Sequence, residues 1–386
     1  MPDPNVPSRL QLIAWAGLSL AVYVAIGLTF TFGRPPSGDE GHFADTIRAF
    51  ATSPSWELLR TYEEMSGPLP FAVYAAWGKV FGTGLFSLRI ANLVAGALLQ
   101  VSLFALLMET LGSSRRTWLA AVYFLLQPYL VYLSLFVHTD VLAMLGVALG
   151  YRTLLRGKRF TAALALGAAL LARQYCIFIP AGLAAAALAD RNRENVRNLL
   201  AGFVACLPLA ALCIFWGGPN PANQIRHRYA SEAFRFHPES LVLYLAMIPV
   251  YAAPFLRFGF AARDAIVAAF FAAMYWLAPV APSPSSHAAT VDTVGAFHWI
   301  VRWLGATSAI EQAIFCTAFA VAGALVSRVI RLWGANPRAQ WFHWQTAAFL
   351  AIMPLSYLHW EKYLLPALPA IVIAMLLERG GADRQA

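Results

Sequence analysis

The sequence predicts an all-α polytopic membrane protein. Its 386 residues are 60% hydrophobic and 12% charged, about half the charge fraction of an ordinary soluble domain. Apolar runs of about 20 residues, the length that crosses a bilayer as a helix, recur along the whole chain. The mean hydropathy is +0.61. Basic residues gather in alternate short loops, as the orientation rule for cytoplasmic loops requires. The net charge of +9 therefore reads as loop arginine and not as a nucleic-acid footprint.

Twelve spans are predicted: 11–32, 86–109, 117–137, 140–155, 160–173, 175–190, 198–216, 239–256, 265–281, 308–327, 341–357 and 363–378. The first is too long for the apolar core of a leader and has no small-residue cleavage site after it. It reads as a retained helix. A long loop, 33–85, follows, with an amphipathic piece near 40–51 and a short apolar helix near 69–81. The stretch 160–190 decides the topology. As one helix it would run about 45 Å, too long for a bilayer without steep tilt. Two short helices meeting at Arg173-Gln174 keep both basic flanks on one side. With that split, 17 of the 28 basic residues fall on the cytoplasmic side, the rest being scattered singly on the other. The expectation is one integral membrane domain over 1–386, both termini inside and 33–85 outside. All four cysteines, Cys176, Cys206, Cys213 and Cys316, lie in apolar segments without metal-ligand spacing.

This topology puts the chain's chemistry on one face. Asp39 and Glu40 are adjacent carboxylates at the start of the amphipathic piece, where a helix N-terminus stabilises an anion. They suit a general base, or a helix cap with Glu40 in the first turn. His138-Thr139-Asp140 interrupts an apolar run. Ionisable residues at a span's end mark function, or Asp140 caps the next helix. Arg173-Gln174 offers a fork for a phosphate, a structural ion pair or a snorkelling side chain. Arg226, His227 and Arg228 give three donors in one loop. His359 and Lys362 flank Trp360-Glu361, and Lys362 suits a phosphate anchor or an interfacial pair with Glu361. His42, His138 and Asp140 have no metal-ligand spacing, so no metal is assigned.

These pieces resemble the GT-C-fold glycosyltransferases, which use polyprenyl-phosphate sugars. The likeness is carried by the acidic pair after the first span, Gly67-Pro68-Leu69-Pro70 leading into a short helix, Ser87–Gly96 opening the next span, and the terminal Lys362–Pro369. Within that superfamily the chain is most similar to the terminal α-1,2-glucosyltransferases of lipid-linked oligosaccharide assembly. The matching pieces are Asp39-Glu40-Gly41-His42-Phe43, His138–Val141, Arg173-Gln174, the loop around His227, and Lys362-Tyr363.

The resemblance implies a GT-C-like fold and inverting transfer of a sugar to an acceptor hydroxyl on the non-cytoplasmic face. The donor would be a polyprenyl-phosphate sugar and the acceptor a glycan or lipid-linked molecule, with membrane lipid around both. No cofactor and no nucleic acid is implied. Asp39 would be the base, with Glu40 or His42 holding it or the acceptor. His138, Asp140, Arg173, Gln174, Arg226, His227, Arg228, His359 and Lys362 would bind substrate. A single leaving phosphate can be stabilised by Arg and Lys alone, so transfer would be metal-independent. The Arg-over-Lys and Ala bias suggests a bacterial inner membrane. The competing class is a transporter or flippase for an anionic lipid-linked substrate. That class would show internal repeats and ionisable residues deep within several spans, neither of which the sequence displays.

Overall fold

A computed structural model describes residues 6–223, 235–256, 261–280, 295–303, 308–356 and 360–382, and all regular structure among them is helical. The chain divides into two compact units, Met1–Ala230 and Ser231–Ala386.

The first unit is built around α5 (Leu85–Leu111), most of whose residues are buried. At 27 residues it is about 40 Å long. Helix α1 (Arg9–Phe30) begins at a capping box in which Ser8 and Gln11 satisfy each other's backbone donors. It runs antiparallel to α5: Trp15 stacks on Phe104 and donates to the Gln100 carbonyl, while the Gln100 amide donates to the Tyr23 hydroxyl. The predicted span 117–137 is two helices, α6 (Arg115–Leu126) and α7 (Pro128–Leu135), bent by 48°. Pro128 explains the break, because it lacks the N–H a continuous helix needs. Helix α8 (Asp140–Leu155) runs parallel to α5. At their C-terminal ends Glu109 accepts from Arg152 at 2.7 Å and from Arg156 at 2.6 Å.

The 160–190 stretch divides as α9 (Arg159–Ala172), a 3-10 turn over Gln174–Ile177, and α10 (Phe178–Ala189). Arg173 sits between them with extended backbone. Helix α11 (Arg193–Trp216) closes the unit. The 33–85 loop holds α2 (Glu40–Thr52) and α4 (Leu69–Phe81), close to the expected positions. It also holds a short helix the sequence reading missed, α3 (Trp56–Thr61), capped by Ser55. At six residues α3 leaves too little periodicity to read.

The second unit contains α12 (Pro238–Tyr251), α13 (Ala262–Tyr275), α14 (Ala296–Trp303), α15 (Ser308–Arg331), α16 (Pro337–Ile352) and α17 (Leu368–Ala382). Asp264 at the start of α13 accepts from Ser327 at 2.6 Å and from Arg331 at 2.7 Å, which sets α13 antiparallel to α15. The last predicted span, 363–378, begins later than expected. Residues Glu361–Leu364 form a 3-10 turn and the helix starts at Leu368, with Pro369 in its first turn where proline is tolerated.

Four helices are each long and apolar enough to cross a membrane: α1, α5, α11 and α15. The bent α6–α7 pair makes a fifth if it is one span. Others, such as α9 and α12, are apolar but shorter. The chain is an integral membrane protein by this measure, with fewer full-length spans than twelve among the described residues.

Candidate active site

In the first unit, five segments far apart in sequence meet at one end of α5, α8 and α9. Glycine permits two of the close approaches. Gly38 has φ +57°, the left-handed turn that places Asp39 at the start of α2, and a Cβ there would lie 3.4 Å from the Tyr132 hydroxyl. Gly67 donates its N–H to the Ala172 carbonyl at 3.1 Å, and a Cβ on it would come within 2.0 Å of the Leu171 carbonyl oxygen. This explains the glycine of the Gly67-Pro68-Leu69-Pro70 motif: any side chain would pry the loop from α9.

The two adjacent carboxylates have different environments. Glu40 is fully buried and accepts from Arg89 Nε at 2.9 Å, Arg89 Nη2 at 2.6 Å, the Val137 N–H at 2.9 Å and the Ser37 N–H at 3.2 Å. The Arg89 fork, 1% exposed, also donates to the carbonyls of Thr31, Arg34 and Pro35. One ion pair thus ties together the end of α1, the loop after it, the start of α2, the N-terminal turn of α5 and the chain entering α8. Glu40 thus spends both carboxylate oxygens on these donors. Asp39 is the N-cap residue of α2, but its side chain makes no capping hydrogen bond, and the residue is half-buried. His42 is exposed on α2.

A second buried ion pair lies nearby in the same unit. Asp140, in the first turn of α8, accepts from Arg173 Nη2 at 2.5 Å and from the Tyr175 hydroxyl at 3.2 Å. Asp140 does not cap α8: the N-cap residue is Thr139, whose hydroxyl pairs with Ser66 at 3.1 Å. Arg173 is 7% exposed and does not reach along the surface as a snorkelling side chain would. Gln174 donates to the Met65 carbonyl at 2.9 Å and so holds the loop before the Gly67 motif. His138 is buried between the rings of Phe43 and Tyr132, with centroids 5.8 and 5.2 Å away. Tyr132 also reaches the Ser37 hydroxyl at 3.5 Å.

The core beside these pairs is aromatic. Phe43, Tyr62, Phe71 and Tyr74 pack in one core with Trp216. Tyr62 donates to the Ser66 carbonyl at 2.7 Å, and Tyr74 donates to Asn92 at 2.5 Å. Burial pushes both phenols well above their usual range, which keeps them as protonated donors. Asn92 in turn donates to the Leu133 and Phe136 carbonyls at 2.5 Å each, satisfying the last turn of α7. Trp216 and Asn223 donate to the Leu59 and Thr61 carbonyls, fastening α3.

Sequence reading gave Arg89 and Asn92 no role beyond their motif. An arginine in an otherwise apolar span was the signal available for the first. Arg226, His227, Arg228 and His359 lie outside the described residues.

In the second unit, Lys362 is buried with its ammonium over the Trp360 ring, 4.4 Å from the centroid. Glu361 accepts from Tyr251 at 2.7 Å, from the Phe297 and His298 N–H groups, and faces His298 Nδ1 at 3.0 Å. Both residues being buried, the interfacial-anchor reading of this pair is replaced by an internal one. Among the described residues, no three His, Cys, Asp or Glu side chains group as a metal site needs.

No protein-family model matches the chain, and no curated protein does. Two solved structures are similar to it. One is ArnT from Cupriavidus metallidurans bound to undecaprenyl phosphate, 17% identical, TM-score 0.47, covering 96% of this chain and 78% of that one. The other is the same protein in the apo state, 16% identical, TM-score 0.43, covering 96% and 79%. Likenesses this distant leave the site to be argued from its own geometry.

Proposed function

We propose that the chain is a membrane glycosyltransferase that moves a sugar from a polyprenyl-phosphate donor to an acceptor hydroxyl, with inversion and without a metal. The observation that carries this reading is the division of labour between Asp39 and Glu40. Glu40 is held by four donors. Asp39 beside it is half-buried and makes no capping bond. A base must be fixed in place yet able to reach its proton. The Glu40–Arg89 clamp supplies the fixing through the adjacent backbone.

In this mechanism Asp39 takes the proton of the acceptor hydroxyl as its oxygen attacks the anomeric carbon. The bond from that carbon to the phosphate oxygen breaks, and the polyprenyl phosphate leaves with the electron pair. Such a positioned base is worth about 10²–10⁴ in rate. Arg173 stabilises the charge growing on the phosphate. Its Nη2 is held by Asp140, which aims the fork and lowers the entropy lost on binding. His42, His138 and Gln174 shape the acceptor side.

The reading extends to a GT-C-like arrangement of about twelve spans in one membrane domain, with the site on the periplasmic face of a bacterial inner membrane. The shorter apolar helices Arg159–Ala172, Gln174–Ala189, Pro238–Tyr251 and Leu368–Glu378 support that count because each coincides with a predicted span. Among donors, a hexose like that of the α-1,2-glucosyltransferases is the first to test. The deciding experiment is transfer by purified Asp39→Asn and Glu40→Gln variants from a panel of polyprenyl-phosphate sugars. Loss of turnover in Asp39→Asn with normal folding is expected. Full activity in Asp39→Asn ends the mechanism. Transport of the lipid-linked sugar without transfer would instead favour a flippase.

A further inference from the structure

The second unit contains a cavity of about 300 Å³ between α12, α15, α16 and α17. Its walls are aliphatic, Leu245, Leu325, Val329, Leu350, Ile371 and Met375 among them. Its few polar residues include Arg328, His343 and Glu378. His343 Nε2 lies 2.8 Å from one Glu378 oxygen, and Arg328 Nε lies 3.9 Å from the other. Arg328 stands in the last turn of α15, beside Arg331 and one connection from Arg338. This arginine-rich helix end also carries Trp333, packed edge-on against Trp344 at 5.0 Å and stacked near His343 at 6.1 Å. Tryptophan is enriched where a helix leaves the hydrocarbon for the headgroups.

We infer that this cavity takes one acyl chain of an anionic phospholipid, with the lipid phosphate on Arg328 at the arginine-rich end. Away from Arg328, His343 and Glu378 the walls are aliphatic, and water against them would find few polar partners. Beside a bilayer, hydrocarbon is the ligand at hand. The volume sits at the small end of ligand pockets, which run ~300–1,000 Å³, so it suits a single chain. The charge argument selects the headgroup. Glu378 is already engaged by His343 and Arg328, and Asp264 holds Arg331. Arg338 is exposed at the start of α16 and adds a cation that no acidic side chain balances in the described ion pairs. A basic pocket between membrane helices at their arginine-rich end binds anionic headgroups, and the planar Arg328 fork suits a phosphate. The site is separate from the proposed transfer chemistry and does not rest on it.

The test is native mass spectrometry of the detergent-purified full chain with phosphatidylglycerol or phosphatidylcholine of equal chain length. One phosphatidylglycerol should be retained, at least several-fold in preference to phosphatidylcholine. Ala347→Phe puts a ring into the cavity from an exposed position on α16, so folding should survive, and the retained lipid should fall about tenfold. Arg328→Gln should remove the headgroup preference, and Arg328→Lys should restore part of it. Equal retention of both lipids in wild type, or unchanged retention in a monodisperse Ala347→Phe, overturns the inference. Should Arg328→Gln not fold, wild-type preference and Ala347→Phe still decide it.

Discussion

Replacing Glu40 by Gln separates the frame of the site from its chemistry. The change leaves shape and volume nearly intact but removes the negative charge facing Arg89. Gln has one acceptor oxygen where Glu40 uses two, and its NH₂ would point at a donor among Arg89, Ser37 N–H and Val137 N–H. Arg89 keeps the carbonyls of Thr31, Arg34 and Pro35, so its charge stays hydrogen-bonded but loses its counter-ion at 1% exposure. Breaking a buried pair from one side costs about 3–5 kcal/mol, and these carbonyls put the expected loss at the lower end. Arg89→Met removes both the ion pair and the donors to three carbonyls. Each carbonyl left unsatisfied adds about 1–3 kcal/mol, so that variant should be the less stable. Asp39→Asn is nearly isosteric at a half-buried position and should cost no more than ~1 kcal/mol, less than either clamp variant. Tryptophan-fluorescence melting of the detergent-purified variants, run with a transfer assay, gives the comparison. The expected order of stability is wild type, then Asp39→Asn, then Glu40→Gln, then Arg89→Met. Activity should be lost in Asp39→Asn although it melts closer to wild type than Glu40→Gln does. A Glu40→Gln protein that melts like wild type would refute the clamp.

Arg173→Ala should lower the melting temperature, because it leaves buried Asp140 without its counter-ion, and in the folded protein it should lower kcat/KM for the donor by roughly ten- to a hundred-fold, the loss of one charge-assisted bond at ~1.5–3 kcal/mol. Arg173→Lys should recover only part of it, and wild-type kinetics in both would take Arg173 out of the site. Gly67→Ala should lower the melting temperature and activity together, since its Cβ would press on the Leu171 carbonyl; a fully stable Gly67→Ala would contradict the loop packing. Transfer should survive EDTA, and activity that vanishes with chelator and returns with Mg²⁺ or Mn²⁺ would count against the metal-free step. Ser37→Cys in a Cys-free background should be labelled by an impermeant reagent from outside; labelling only after permeabilisation would invert the proposed topology.

The helices were legible because apolar length and charged loops are strong signals. The division at Arg173 could be read from the basic flanks alone, and Leu69–Phe81 from its apolar run. The bend at Pro128 and the late start of α17 were less legible. Both come from prolines inside apolar stretches whose composition alone reads as continuous. In the site, Asp39 and Glu40 are equivalent by sequence. What separates them is Arg89, 49 residues on, and Val137, 97 residues on, and no local pattern contains those pairings. Asp140 and Arg173 were each singled out as span-end charges, yet nothing in sequence says that they face each other. The internal tie from Glu361 to His298 was hidden for the same reason: its partners are 63 residues apart.

Two buried ion pairs at one end of one unit are an expensive way to fasten loops. Aliphatic packing of the same volume is often at least as stabilising, and the surrounding helices already supply it. What an Arg–carboxylate fork adds is a fixed geometry: two parallel bonds that do not slide. The Glu40–Arg89 fork fixes the backbone that carries Asp39, and the Arg89 carbonyl contacts fix the turn before it. The Asp140–Arg173 pair fixes a guanidinium between two short helices. Both pairs therefore hold position at the two places where the proposed reaction needs a base and a phosphate contact. A structural frame alone would need neither charge, so exchanging Glu40 and Arg89 together for packed apolar residues should leave a folded protein only if the freed carbonyls find other donors. Its turnover should still fall, because Asp39 would no longer be held.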